Sequence, residues 1–377
     1  MANNIVEFNY LKPQWEAIKN EVNVEFEKLY ETSDFILGPK VSEFERNFAA
    51  WNNSKYAVGV SNATDGLEIA ARAFQLEERK TAVFIPANTF IATFIGIYKA
   101  IPNADYYLVD CDEYFQLNVS VLEMQLAKHA TTYEEIVVAP VHLYGCTSDM
   151  NRLLELRTKF GFKIIEDCSQ AHGAISSSDN PVGTDGEIGV FSLYPGKNLG
   201  AMGDAGVLTT SIDDYYNRLL SLRNLGSVKK YIHEHFSGNH RLDSIQAIVL
   251  DIKLKFIDKW TDQRIETANR YQSEIIHSDL INFSNPSYCK KNVYHLFPVR
   301  VDTRDEFQKY LSDNGIPTIV HYPITLYNSK SLLDFPFKYR RENPLSDEYC
   351  KTVLSIPMHP FLTKEQIDYV INTINKY

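Results

Sequence analysis

The chain has 377 residues and a mass of 43.2 kDa, with 44% hydrophobic, 23% charged and 12% aromatic residues. That length exceeds one small module and suits a large domain with a smaller companion, and the apolar content excludes intrinsic disorder. Its 38 Lys and Arg against 48 Asp and Glu leave a net charge of −10, the opposite of a phosphate-neutralising surface, so no nucleic-acid partner is expected.

In chain order, KYAVGV (55–60) predicts a buried strand and Thr64–Phe74 a helix. TAVFIP (81–86) and IATFIGIYKA (91–100) repeat the pair. DYYLVD, EIVVAPVHLYG and FKIIEDC continue the series, with helical periodicity between them. Continuous apolar strands separated by helices predict a mostly parallel sheet buried on both faces. GVFSLY and GVLTTS read as two further strands, Asp213–Arg223 as a helix, and one long amphipathic helix is predicted from Leu242 to about Ile275. FPVRV, a helix over Glu306–Asn314, strand-like TIVHYP and a closing helix, KEQIDYVINTINKY, then predict a smaller α+β domain. The five cysteines form no CxxC pair, which reads as reduced thiols in the cytoplasm. The opening MANNIVEFNYLKPQW has no apolar core of a secretion signal. No stretch approaches the roughly 18–20 apolar residues that cross a bilayer, so no membrane partner is expected.

Ligands of α/β sheets sit beyond the carboxyl ends of the strands. KYAVGV runs into Ser61-Asn62-Ala63-Thr64-Asp65-Gly66, where a helix N-terminus offers free N–H groups to a phosphate; Asn62 or Thr64 could equally be a plain N-cap. No P-loop or dinucleotide fingerprint is present. FKIIEDC carries Glu166 and Asp167 out of an apolar run, and a carboxylate there is costly without a cationic partner. Asp167 reads either as a turn cap or as the partner of a protonated heterocyclic nitrogen, with Gln170 three residues on. Ser192 precedes Lys197 by five residues, and Gly196, Gly200, Gly203 and Gly206 surround that lysine. Burial would lower its pKa and make it a Schiff-base nucleophile. An aldehyde-capturing lysine, a carboxylate for a ring nitrogen and a phosphate cup are the three things pyridoxal phosphate requires.

The segments LGPKVSEFERNFA, VSNATDGLEIAARA, IPANTFIATF, APVHLYG, IIEDCSQAHGA, FSLYPGKNLGAMGDAG, GNHRLDSIQA and LSIPMHP together resemble the DegT/DnrJ/EryC1/StrS family of nucleotide-sugar aminotransferases over nearly the whole chain. The resemblance implies an α/β, aspartate-aminotransferase-like fold of type I. It has a large cofactor-binding domain (1–255) with a mixed, mostly parallel seven-stranded sheet, and a small C-terminal α+β domain (256–377). It also implies pyridoxal 5′-phosphate and a homodimer with shared sites. By that resemblance Lys197 would bind the cofactor covalently and shuttle the proton, Asp167 would pair with the ring nitrogen and Gln170 with the phenolic oxygen. Phe90 would stack on the ring, although its apolar neighbours also fit plain core packing. Ala63, Thr64 and Ser192 would hold the phosphate, and Asn239 would reach it from the partner subunit. Arg241 is a candidate for the donor's carboxylate, or for a local ion pair with Asp243. His321 and Tyr322 of TIVHYP are candidates for the acceptor, or structural residues at a strand end. Ala63-Thr64 replaces the Gly-Thr of many relatives, and GDAG replaces GDGG at 203–206.

The resemblance implies amino transfer from L-glutamate to a keto nucleotide-sugar in deoxyamino-sugar, lipopolysaccharide or glycan biosynthesis. SQAHGA, YPGKNLGAMGD and SVKKYIHEHFSGNHRLD resemble members that aminate C3 of dTDP-3-keto-6-deoxyhexoses; relatives acting at C4 often have His at the Gln170 position. Rival readings are a 4-keto or 2-position aminotransferase on a UDP- or dTDP-sugar, a dehydratase, and a cofactor- or sugar-binding regulatory protein. Dehydratases of the family carry His at the Lys197 position, and regulators built on this fold carry an added DNA-binding domain.

Overall fold

The computed structural model describes residues 6–76, 78–278, 280–282, 285–340 and 342–377. The apolar runs of the first half form β1 (Tyr56–Val60), β2 (Thr81–Pro86), β3 (Asp105–Val109), β4 (Glu135–Val138), β5 (Lys163–Asp167), β6 (Ile188–Ser192) and β7 (Gly206–Thr210). They join in one seven-stranded sheet in the order β1-β7-β6-β5-β4-β2-β3. β7 runs antiparallel to both of its neighbours, while β6, β5, β4, β2 and β3 pair in parallel. The sheet is therefore mixed and mostly parallel, as the continuous hydrophobic strands predict.

The helices of this half are α1 (Lys12–Thr32), α2 (Pro39–Trp51), α3 (Ala63–Ala73), α4 (Ile91–Ala100), α5 (Val119–His129), α6 (Met150–Phe160), α7 (Asp213–Leu222) and α8 (Ser244–Leu254). One face of the sheet (Val60, Val83, Ile85, Ile165, Val190, Leu208) packs on α3, α4 and α7 through Leu67, Ile97 and Leu219. The other face divides: Phe191 and Val207 meet α2 and α8, and Phe84, Val138 and Ile164 meet α5 and α6. Successive residues of a strand point to opposite faces. On β5, Ile165 and Asp167 thus look toward α3 and α4, and Ile164 and Glu166 look away.

Two expectations are corrected. The single long helix is two, α8 and α9 (Ile257–Glu274). α8 buries Ile248 and Ala247 against α1 and α2, whereas Ala268 and Tyr271 of α9 belong to a C-terminal core; one straight rod cannot serve both. TIVHYP is not a strand: it makes one isolated bridge, Ile319 to Ser355, since Pro317 and Pro323 bracket it without N–H groups to give. The C-terminal core gathers the antiparallel strands Phe297–Arg300 and Val353–Ile356 with α9, α10 (Arg304–Asp313) and α12 (Lys364–Ile374), whereas α11 (Pro344–Thr352) packs through Tyr349 with Phe115, Val141 and Tyr144. Phe307, Leu354 and Val370 lie at its centre.

Glu45 of α2 pins this helix to β1. Its buried Oε1 accepts the Gly59 N–H at 2.7 Å and the Arg223 guanidinium, which also donates to Gly59 O at 3.2 Å. Removing one partner of a buried ion pair strands the other charge, so Glu45→Ala is expected to lower unfolding stability by about 3 kcal/mol. Denaturant titration of the variant against the native chain measures it.

Candidate active site

A pocket of about 470 Å³ opens at the carboxyl edge of β5 and β6, lined by Asn62, Ala63, Thr64, Phe90, Ala92, Ser169, Ser192, Tyr194, Lys197, Asp204 and Tyr322. Strand alternation separates the two carboxylates at its base. Glu166, fully buried, accepts the N–H groups of Gly183, Asp185 and Gly186 at 2.8, 3.0 and 2.6 Å and faces His142 Nε2 at 3.0 Å. Its bonds are spent on holding a loop on the far face. Asp167, only 4% exposed, turns to the pocket side, where Thr93 Oγ1 donates to its Oδ2 at 2.8 Å and the Ser169 N–H to its Oδ1 at 3.1 Å. Thr89 bonds Thr93 in turn, oxygen to oxygen at 2.9 Å.

At the pocket's other end, α3 begins. Asn62 is its N-cap: its Oδ1 accepts the Asp65 N–H at 2.9 Å. The N–H groups of Ala63 and Thr64 precede the first intrahelical bond and face outward with the helix dipole. Gly206 of β7 passes so close that a Cβ there would lie 2.8 Å from Asn62 C and 3.0 Å from Ala63 N. Asp65 sits just behind, with its pKa pulled to about 2 chiefly by His240, whose Nδ1 is 3.3 Å away, and by Ser61 and Asn62. Ser192, at the end of β6, lines the same cup.

Lys197 lies on the turn that joins β6 to β7. Burial lowers its pKa to about 8, while the Asp167 carboxylate acts the other way. Phe90 is 52% exposed, which overturns core packing, and its ring stands 5.5 Å from that of Tyr322. Gln170 is fixed at both ends: its Oε1 accepts the Tyr144 N–H at 2.6 Å and its Nε2 donates to Tyr322 Oη at 3.0 Å. Burial pushes the Tyr322 phenol up to about 12.

The fold thus brings Ala63, Thr64, Phe90, Asp167, Gln170, Ser192, Lys197 and Tyr322 together. Asn239, Arg241 and His321 do not line the pocket. Asn239 is exposed. Arg241 lies beside β1, bridges Val60 and donates to Asn224 Oδ1 at 3.2 Å, not to Asp243. His321 bonds Ser355 Oγ through Nδ1 at 3.0 Å and stacks on Phe8. Sequence reasoning missed Thr93, Tyr194 and Asp204. Thr93 lay inside IPANTFIATF, but a hydroxyl on an apolar helix has no distinctive spacing. Also missed were His172 and His295, which together with His321 lie near Lys197. Burial first and Lys197 second push His172 down to about 3 and His321 to about 4, and push His295 well below the usual range.

Pyridoxal phosphate fits these donors. Free helix-end N–H groups with two hydroxyls suit a phosphate, a buried, donor-held carboxylate suits a cationic ring nitrogen, and a lysine titrating near 8 suits an aldehyde. The exposed ring of Phe90 supplies an aromatic face.

Residues 16–375 match the DegT/DnrJ/EryC1/StrS aminotransferase family. A dTDP-3-amino-3,6-dideoxy-alpha-D-galactopyranose transaminase of Aneurinibacillus thermoaerophilus is 36% identical over 95% of this chain and 96% of its own. A dTDP-3-amino-3,4,6-trideoxy-alpha-D-glucose transaminase of Streptomyces venezuelae is 33% identical over 99% and 96%. Among solved structures, that of S. venezuelae DesV with a ketimine intermediate superposes with a TM-score of 0.91 at 32% identity, covering 98% of both chains.

His172 and His359 are almost fully buried, and burial lowers them to about 3 and about 4. Between those values and the ordinary 6.5 the unfolded chain binds protons that the folded one refuses, so stability falls as pH drops through that window. Each such group contributes up to about 1.4 kcal/mol per pH unit. A thermal melt at pH 7 and pH 5 should show the loss, and His172→Phe should flatten its slope.

Proposed function

The chain belongs to the DegT/DnrJ/EryC1/StrS aminotransferase family, whose cofactor is pyridoxal phosphate, and on that premise we propose that it moves an amino group from L-glutamate to C3 of a dTDP-3-keto-6-deoxyhexose. The observation that carries this reading is the meeting of Lys197 and Asp167 in one pocket with the α3 N-terminus. The names of the two transaminase relatives support dTDP as the nucleotide and C3 as the carbon. Gln170, an amide where the resemblance leads one to look for His in C4 enzymes, supports the same carbon.

In this reading Ala63, Thr64 and Ser192 bind the phosphate, Phe90 covers one ring face, and Gln170 orients the phenolic edge. Asp167, held by Thr93 and Ser169, keeps a proton on the ring nitrogen. Pyridoxal phosphate, when bound, supplies the aldehyde that takes up the amine and the electron sink for the bond broken at the substrate carbon. Lys197 Nζ takes the proton from that carbon and returns one; a pKa near 8 leaves part of the population neutral and ready as a base at neutral pH. Glutamate leaves as its 2-oxo acid before the keto-sugar binds.

The reading includes a homodimer with shared sites. Asn239 is exposed and outside its own pocket, and the segment that carries it exposes Tyr231 and Phe236 at 83% and 90%. These are the attributes of a segment that reaches across to a second copy. Arg241 would grip the donor's carboxylate there, and His321 with Tyr322 would border the acceptor. Residues 1–255 and 256–377 are taken as the cofactor-binding and small units. A cytoplasmic location is supported by five cysteines that are all free and buried.

With L-glutamate and a dTDP-3-keto-6-deoxyhexose, NMR of the product is expected to place the amine on C3, and an amine on C4 or no product would overturn the assignment. Lys197→Ala is expected to fold and to lose turnover by at least about a thousandfold. Mixing the inactive Lys197→Ala and Asn239→Ala variants should restore partial activity, because hybrid dimers retain one intact site; no recovery would refute site sharing.

A further inference from the structure

Lys253 is a buried cation without a carboxylate. It lies on α8, 4% exposed, and no ion pair includes it among the described residues. Its ammonium donates to Gly200 O at 2.7 Å and to Gln14 Oε1 of α1 at 3.0 Å. Burial alone lowers its pKa to about 8. An unpaired ammonium in a core is destabilising, and an apolar side chain of similar size is commonly tolerated there at no loss. Linking two helices does not require a charge.

The carbonyl it holds belongs to the turn of Lys197. That turn folds back on itself: the Lys197 N–H bonds Tyr194 O at 2.8 Å and the Ala201 N–H bonds Leu193 O at 2.8 Å. A Cβ on Gly200 would strike Pro195 O and come within 2.8 Å of Tyr194 O. Seven residues before Lys253, on the same stripe of α8, Gln246 Oε1 accepts the Met202 N–H at 2.9 Å. Two side chains of one helix thus grip the turn on its far side. On the near side Asn198 Nδ2 donates to Val293 O at 3.0 Å.

We propose that Lys253 is a positioning residue for Lys197, its ammonium clamping Gly200 O so that the turn keeps the Lys197 amine drawn back, half-buried, against the pocket wall. The inference rests on the reading of Lys197 as the cofactor's lysine. Without the clamp the turn loosens, Lys197 Nζ moves farther out into the open pocket, and its ammonium form regains stability.

The test is NMR titration of ε-13C-lysine protein without cofactor, the Lys197 signal being assigned by its absence in Lys197→Ala. In Lys253→Met the Lys197 pKa is expected to rise from about 8 to at least about 9, and pyridoxal phosphate, followed by absorbance, to bind about tenfold more weakly. Lys253→Arg, which keeps charge and donors, should restore most of both. A Lys197 pKa unchanged in a folded Lys253→Met protein overturns the proposal. If that variant does not fold, Gln246→Leu decides by the same titration: a raised Lys197 pKa supports the clamp and an unchanged one refutes it. Turnover surviving in Lys197→Ala would instead sink the reading of Lys197 while leaving the titration interpretable.

Discussion

A half-buried lysine amine at the pocket wall and a fully buried carboxylate share one pocket, and the pull between burial and that charge organises it. Thr93 and Ser169 each donate a hydrogen bond to the Asp167 carboxylate. Lys197 feels both its own burial and that carboxylate, and the two oppose each other. The arrangement depends on the two-residue period of β5, which turns Glu166 away. With three backbone N–H groups and His142 to satisfy it, Glu166 is a structural carboxylate. Its neighbour keeps capacity for a ligand.

The same economy of charge recurs around the site. Lys253 and Arg264 are both buried, and both are held by carbonyl oxygens. Arg264 Nη1 donates to Tyr294 O and Met358 O at 3.2 and 3.0 Å. It stands near His295, whose Nδ1 lies 3.3 Å from Asn198 Oδ1 beside Lys197. The acidic chain thus places cations in its interior around one turn, while its net charge of −10 resides elsewhere. Anionic ligands must therefore be met locally, by helix-end N–H groups and a few protein cations, because the long-range field works against them.

The aromatic residues, 12% of the chain, have a largely architectural role. Phe94, Tyr98, Tyr106, Phe335 and Phe337 form one set of edge-on and stacked contacts that ties the segment at 335–337 to α4 and β3. Phe90 and Tyr322 are different: they face each other across the pocket mouth. Composition alone could not separate these two uses, since both draw on the same residue types.

Much of the molecule was legible beforehand. Alternating apolar runs and helical periods locate the seven strands of the large sheet, because burial on both faces demands continuous hydrophobicity. Lys197, Asp167 and the Asn62–Thr64 helix start were legible because a charge after a buried strand, or a small-residue turn before a helix, has a local chemical reason. What the sequence could not determine depends on contacts between distant segments. The break at Lys255–Phe256 reflects two cores that pull α8 and α9 apart. Thr93 gains its role only when α4 lies over β5, 74 residues away. Lys253 reads as one more surface lysine until α8 packs beneath Gly200, because whether a cation is buried, and against what, is decided by tertiary packing and not by its neighbours in the chain.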